Sequence, residues 1–273
     1  MKVVLFCGGL GMRLREYSES IPKPMVTVGY RPILWHLMRY YAHYGHKDFI
    51  LCLGYKADYI KQYFLRYDET VSNDFVLADG GRKVELLARD IQDWNITFVD
   101  TSMNSNIGQR LKAVQRFLGD DPMFLANYGD GLSDIPLPEM LQFFQAKPEA
   151  VACFAGVAPN SSFHLVKVGE GGRVQHIRHI SEAGMRINGG FFAFRRQIFD
   201  WMEKGEDLVQ EPFQRLAEAG RLLAYEHDGF WACMDTFKDR QVLEDLYTSG
   251  HGPWEVWKDD RLAAGAGGRP CTG

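Results

Sequence analysis

From its first residues the chain alternates short apolar runs with amphipathic stretches. KVVLFC is apolar at consecutive positions and exits through glycines, the pattern of a strand buried on both faces. PILWHLMRYYAHYG has helical spacing, with Pro32 suited to a first turn and Gly45 to a C-terminal stop. KDFILCLG predicts a second buried strand. ADYIKQYFLRY predicts a second helix, with Ile60, Phe64 and Tyr67 on one face. WNITFVDT is a third apolar run, and IGQRLKAVQRFLG and LPEMLQFFQAK read as helices. Between those two helices PMFLANYGDG is a strand that ends in an acidic turn. Strand and helix in this rhythm predict a parallel sheet with helices on both faces. Ligands of such sheets bind beyond the carboxyl ends of the strands, and GGLG and YGDG both fall there. VSNDFVLADGGRKVELL alternates and turns at DGG, so it reads as a hairpin insertion.

The second half changes character. AVACFAGVA, HLVKVG, RVQHIRHI and INGGFFAFR are strand-like, and helical patterns return at LVQEPFQRLAEAG and DTFKDRQVLEDLYTSG. The expectation is a strand-rich part packed against the first half, the two together forming one domain over residues 1–258. Residues 259–273 are rich in small residues and poor in core residues, and are expected to form a disordered tail.

Composition narrows the field. With 273 residues and 46% hydrophobic content the chain can bury a sizeable core. Its net charge of -4 excludes the basic footprint of a nucleic-acid binder. A phosphate-bearing ligand therefore needs locally placed positive charge. Cys7, Cys52, Cys153, Cys233 and Cys271 show no CxxC spacing, and three sit in apolar runs, as buried reduced thiols do. The apolar start is too short for a signal peptide or a membrane span, so a cytoplasmic protein is expected.

CGGLGMRL followed by ESIPKPM is the first candidate site. Glycines after a strand let backbone N–H groups approach phosphate oxygens, and Arg13 and Lys23 add two positive charges. The loop lacks the GK[ST] ending of a Walker A loop and the third glycine of the dinucleotide fingerprint. A plain strand-to-helix turn is the alternative for the glycines alone.

GGLGMRLREYSESIPKPMVTVGYRPILWHLMRYY resembles the sugar-phosphate nucleotidyltransferases, most of all their glucose-1-phosphate cytidylyltransferase branch. KDFILCLGYKADYIKQYF, VDTSMNSNIGQRLKAV, YGDGLSD, INGGFFAF, QEPFQRLAEAG and GFWACMDTFKD carry the resemblance to about PWEVWK. It implies a Rossmann-like mixed, mainly parallel sheet of the nucleotide-diphospho-sugar transferase type. Residues 1–150 would mainly bind nucleotide and 151–258 the sugar phosphate. By the same resemblance Arg13 would face the β- and γ-phosphates and Lys23 the α-phosphate. Leu5, Gly8, Gly9, Leu10, Gly11, Met12, Arg110 and Gly129 would complete the nucleotide pocket. Asp130, a third catalytic residue beside Arg13 and Lys23, would hold Mg²⁺ with Asp235. Asn188, Gly189 and Glu211 would bind the sugar phosphate. The implied substrates are an NTP, with CTP favoured over UTP, and a sugar 1-phosphate, and the implied assembly is a homo-oligomer. The aromatic-rich first helix and PWEVWK are the candidate interface.

Each residue has a plainer reading too. Asp130 suits a turn, Asp235 a helix N-cap, Glu211 a first-turn acid, Asn188 a turn and Arg110 a solvated helix charge. Two departures from the family stand out. Met12 replaces a usual Thr, and the usual Glu-Lys-Pro motif before INGG is missing. Arg178 or His179 falls at its Lys, which puts the choice of sugar in question and keeps open a nucleotide-sugar-binding protein without turnover.

Overall fold

The computed structural model describes residues 1–9, 21–159 and 163–258. Strand β1 (Lys2–Phe6) leads, after a gap in the description, to the short pair β2 (Thr27–Val28) and β3 (Arg31–Pro32) and to helix α1 (Ile33–His43). Then come β4 (Asp48–Leu53), α2 (Ala57–Leu65), the hairpin β5 (Phe75–Ala78) and β6 (Lys83–Leu86), and β7 (Asn95–Asp100). Helix α3 (Ile107–Val114), β8 (Met123–Tyr128), β9 (Gly131–Ser133), α4 (Leu137–Gln145) and β10 (Ala152–Val157) follow. The last part holds the hairpin β11 (His164–Val168) and β12 (Val174–His179), then β13 (Ile187–Arg195), α5 (Glu211–Glu218), β14 (Leu222–His227), β15 (Trp231–Cys233) and α6 (Phe237–Thr248).

Seven strands form the central sheet in the order β14-β10-β13-β8-β1-β4-β7. Neighbours are parallel except along β13, which runs antiparallel to both β8 and β10. The strand-rich second half is thus mostly continuous with the first: β10, β13 and β14 extend one sheet, and among the described residues β11 and β12 form a separate two-stranded sheet. The apolar runs explain why. Side chains alternate across a strand, and in β1 Val3 and Leu5 enter one core while Val4 and Phe6 enter the other. β13 repeats this, with Phe191 and Ala193 on one side and Phe192 and Phe194 on the other. A strand apolar on both faces is stable only where helices cover both.

The aromatic α1 and the PWEVWK end, candidates for both core and subunit interface, pack against each other within one chain. Trp35, Tyr40, Tyr41, Trp254 and Trp257 all belong to the same core. At its centre the Nε1 hydrogen of Trp254 is donated to His36 Nδ1 at 3.2 Å, so His36 Nε2 donates to the Val28 carbonyl at 2.9 Å. Burial holds this imidazole down to about 4. Several apolar side chains open to solvent are on the hairpins, among them Leu77 and Val84 on β5–β6 and Val168 and Ile177 on β11–β12. Among the described residues no helix is long and apolar enough to cross a membrane.

Candidate active site

A cleft of about 870 Å³ opens where β1 and β8 end side by side. Parallel pairing puts Phe6 opposite Tyr128, so Cys7-Gly8-Gly9 and Gly129-Asp130-Gly131 leave the sheet together at its carboxyl edge. Gly129 N donates to the Phe6 carbonyl at 3.1 Å. A Cβ on Gly129 would come 3.0 Å from that oxygen and 3.2 Å from Cys7 Sγ, a tight approach that favours glycine.

Three chain segments meet on this floor. Lys23 opens a short turn with buried Pro24 and Met25 behind it. β15 pairs antiparallel with β9, Cys233 opposite Gly131, and Met234 N donates to the Asp130 carbonyl at 3.0 Å. That pairing brings Asp235 to Asp130. Lys23 Nζ lies 2.5 Å from Asp130 Oδ2 and 2.5 Å from Asp235 Oδ1. Burial works against the ammonium charge, but Asp130, and hydrogen bonds to both carboxylates, hold its pKa above the ordinary lysine value. Asp235 is not the α6 cap: Thr236 caps that helix and forms a capping box with Asp239. The hydroxyl of Thr236 sits where a cap accepts from the third helical N–H, which leaves the Asp235 carboxylate to the cleft.

Asp130, Cys233 and Asp235 offer donor atoms within 4.8 Å of one another. Burial, and then the charge of Asp130, push the Cys233 thiol well above its ordinary value, so it stays protonated. Two hard carboxylate oxygens beside a neutral thiol fit Mg²⁺, which favours oxygen ligands and keeps its waters.

Arg110 lines the cleft from behind the glycine loop and is 2% exposed, so it is no solvated helix charge. Its guanidinium donates to the Gly8 carbonyl (3.0 Å), the Leu53 carbonyl (3.2 Å), Thr101 Oγ1 (2.7 Å) and the Met103 carbonyl (3.3 Å). It braces the loop after β1 against the end of β4 and the loop after β7. A Cβ on Gly54 would come 2.8 Å from the Gly8 carbonyl oxygen, so the loops after β1 and β4 also touch through backbone.

The other expected residues divide. Gly8, Gly9, Lys23, Arg110, Gly129, Asp130, Asn188, Gly189 and Asp235 all line the cleft, nine residues from six separate stretches of sequence. Leu5 is fully buried in β1 and packs in the core. Leu10, Gly11, Met12 and Arg13 lie outside the described residues. Glu211 begins α5 and borders a neighbouring depression, which Asn188 shares with the cleft. Arg178 and His179 stand on β12, paired with Leu165 and His164, and neither lines the cleft. Sequence reasoning missed Tyr128, Asp207, Trp231, Cys233 and the 104–106 loop, all of which line it. Tyr128, Trp231 and Cys233 sit inside or beside the quoted YGDG and FWACMD segments. Asn106 carries a readable signal, the cap and Gln109 of a capping box. Asp207 carries none.

The model of the family described as nucleotidyl transferase matches residues 2–259. A glucose-1-phosphate cytidylyltransferase of Salmonella typhi is 39% identical over 261 residues, which cover 94% of this chain and all of that one. A probable glucose-1-phosphate cytidylyltransferase of Bacillus subtilis is 37% identical, with the same coverage. Among solved structures, HddC from Yersinia pseudotuberculosis superposes with a TM-score of 0.63 at 20% identity, over 90% of this chain and 99% of that one. A putative glucose-1-phosphate thymidylyltransferase from Bacillus anthracis, in complex with a sucrose, gives 0.66 at 16% identity, over 90% and 94%. At those identities the superpositions establish the fold.

Proposed function

Because this chain belongs to the nucleotidyl transferase family, we propose that it joins CTP to glucose 1-phosphate, giving CDP-glucose and pyrophosphate. The observation that carries this reading is the Lys23 ammonium held between Asp130 and Asp235, at the carboxyl edge of the sheet and beside a glycine loop. The relatives that share the chain's full length and bear the cytidylyltransferase name support CTP and glucose 1-phosphate as substrates.

The chemistry follows from charge. An oxygen of the sugar phosphate attacks the α-phosphorus in line, the bond to the β-phosphate oxygen breaks, and pyrophosphate leaves. Both substrates are anions, so positioning and neutralisation do most of the work and no covalent enzyme intermediate is needed. Asp130 and Asp235 would hold Mg²⁺, which supplies charge neutralisation on phosphate oxygens when bound. Lys23 brings a permanent positive charge to the α-phosphate. Gly8 and Gly9, with Leu10, Gly11 and Met12 beyond them, present backbone to the phosphates, and Arg13 adds charge at the β- and γ-phosphates. Leu5 acts from the core by fixing the strand that ends in this loop, as Arg110 does by bracing it. Asn188, Gly189 and Glu211 serve the sugar side.

The exposed apolar faces of the β5–β6 and β11–β12 hairpins support a homo-oligomer, and light scattering at micromolar concentration tests that. A panel of CTP, UTP, dTTP, GTP and ATP against sugar 1-phosphates, with Mg²⁺, tests the reaction. The reading expects pyrophosphate release, fastest with CTP. Silence across the panel contradicts it.

A further inference from the structure

One wall of the cleft is built by the ends of β8 and β13 and by the segment that leads into α5. Three consecutive residues of that segment go to three different places. Leu208 is fully buried in the core on the α3 side of the sheet. Glu206 receives Arg215, whose two guanidinium nitrogens lie 2.7 and 2.6 Å from its two oxygens. Asp207, between them, faces the cleft.

The backbone there is held from several sides. The Gly205 carbonyl accepts from Asn106 Nδ2 at 2.9 Å, and the Met202 carbonyl accepts from Lys112 Nζ at 2.9 Å. A Cβ on Gly108 would come 2.3 Å from the Glu206 carbonyl oxygen, so the first turn of α3 lies directly against the segment. Asp207 is therefore carried on fixed backbone, as a specificity residue needs to be.

Its surroundings define what it can bind. Val209 N donates to Asp207 Oδ1 in a long 3.3 Å bond, and a carboxylate has room for several more donors. Tyr128, at the end of β8, lines the same cleft and brings a phenol hydroxyl to it. Asn188 Oδ1 accepts from Gly190 N at 2.9 Å. Trp231 Nε1 is taken by the Gly189 carbonyl at 2.7 Å. Among the described lining residues the only Lys and Arg side chains are Lys23 and Arg110, one clamped by two carboxylates and the other donating to four acceptors. A wall with one carboxylate and neutral polar groups repels phosphate and suits a polyhydroxyl surface.

We propose that Asp207 selects the sugar by accepting hydrogen bonds from its ring hydroxyls, with Tyr128 and Asn188 beside it. The inference rests on the reading of this cleft as a sugar 1-phosphate nucleotidyltransferase site.

Steady-state kinetics of wild type, Asp207→Asn and Asp207→Ala test it, with glucose 1-phosphate and its monodeoxy analogues. A hydrogen bond to a charged acceptor contributes enough that its loss should raise the sugar phosphate KM about ten- to a hundredfold. The CTP KM should stay within about twofold. One monodeoxy analogue should be a poor substrate for wild type, yet no worse than glucose 1-phosphate for Asp207→Ala. An unchanged sugar KM in both variants, or unchanged discrimination among the analogues, overturns the role of Asp207 while leaving the reaction intact. Should neither variant fold, the wild-type panel still decides: equal use of every deoxy analogue refutes hydroxyl selection. Absence of turnover in wild type with any sugar phosphate overturns the reaction and this inference together.

Discussion

Lys23 stands 2.5 Å from Asp130, and the same ammonium stands 2.5 Å from Asp235, which the chain delivers from far along the sequence. One positive charge thus holds two carboxylates together on the floor of the cleft. Lys23→Met should lower kcat/KM by about 10²–10³-fold, the usual scale for losing one charge contact to a developing transition state. It should also leave Asp130 and Asp235 facing each other without a counter-ion. The metal-free variant should then melt below wild type, and Mg²⁺ should raise its melting temperature more than it raises that of wild type. Because the folded pKa of Lys23 is raised, its stabilising contribution is complete below about pH 10 and is lost only as pH climbs through the raised value. Thermal melts with and without Mg²⁺, together with steady-state rates, check both parts.

Arg110 is expected to act as a brace. Its planar fork reaches four acceptors on two loops and the end of β4, which a single lysine ammonium cannot reproduce. Arg110→Lys should therefore destabilise the fold by roughly 2–4 kcal/mol, through the loss of several buried hydrogen bonds from one charged donor. Gly54→Ala should disturb the same junction from the other side, since its Cβ would press on the Gly8 carbonyl. Chemical denaturation measures the first. A fall in kcat/KM larger than the fall in stability explains identifies the second.

Much of this was legible beforehand, because buried parallel strands write themselves as apolar runs with glycine exits. KVVLFC and PMFLANYGDG gave both strand ends that frame the cleft. Local patterns do not say which distant segments meet. That Asp235 lies against Asp130 depends on β15 pairing with β9, two three-residue strands with no signal of their own. The sequence leaves the cap of α6 open because Asp235 and Thr236 are both good caps, and the bond from Asp239 N to Thr236 Oγ1 decides for Thr236. The aromatic stripe of α1 reads equally well as core or interface, until Trp254 and Trp257 are seen packed on it. Asp207 stayed hidden because one acid in GEDLVQ looks like any solvated charge. Its role comes from Arg215 and Leu208 fixing its neighbours.

His36 supplies a pH prediction. Burial lowers its folded pKa to about 4, well under the unfolded value near 6.5. The unfolded chain binds the extra proton first, so stability is lost as pH falls from about 6.5 to about 4 and is constant above that window. The full loss from this one group is on the order of 3 kcal/mol. In His36→Gln that part of the slope should vanish. Urea denaturation of both proteins at pH 7, 5.5 and 4 isolates it, because carboxylates that titrate in both cancel in the difference.

The β12 residues separate two views of the sugar side. Arg178 and His179 fall where the family's lysine motif is missing, yet neither lines the cleft. Arg178→Ala and His179→Ala, made singly, should each change the sugar phosphate KM by less than about threefold, because a contact that is not made cannot be lost. A tenfold rise in either would show that the β11–β12 hairpin reaches the bound sugar.

The most direct test of the central claim is the product itself. The purified chain, given CTP, glucose 1-phosphate and Mg²⁺, should form CDP-glucose and pyrophosphate in equal amounts, as followed by ³¹P NMR, and Asp130→Asn should form neither at a comparable rate. CDP-glucose that binds tightly while no CTP is consumed with any sugar phosphate would contradict the account, and would make the cleft a receptor for nucleotide sugars.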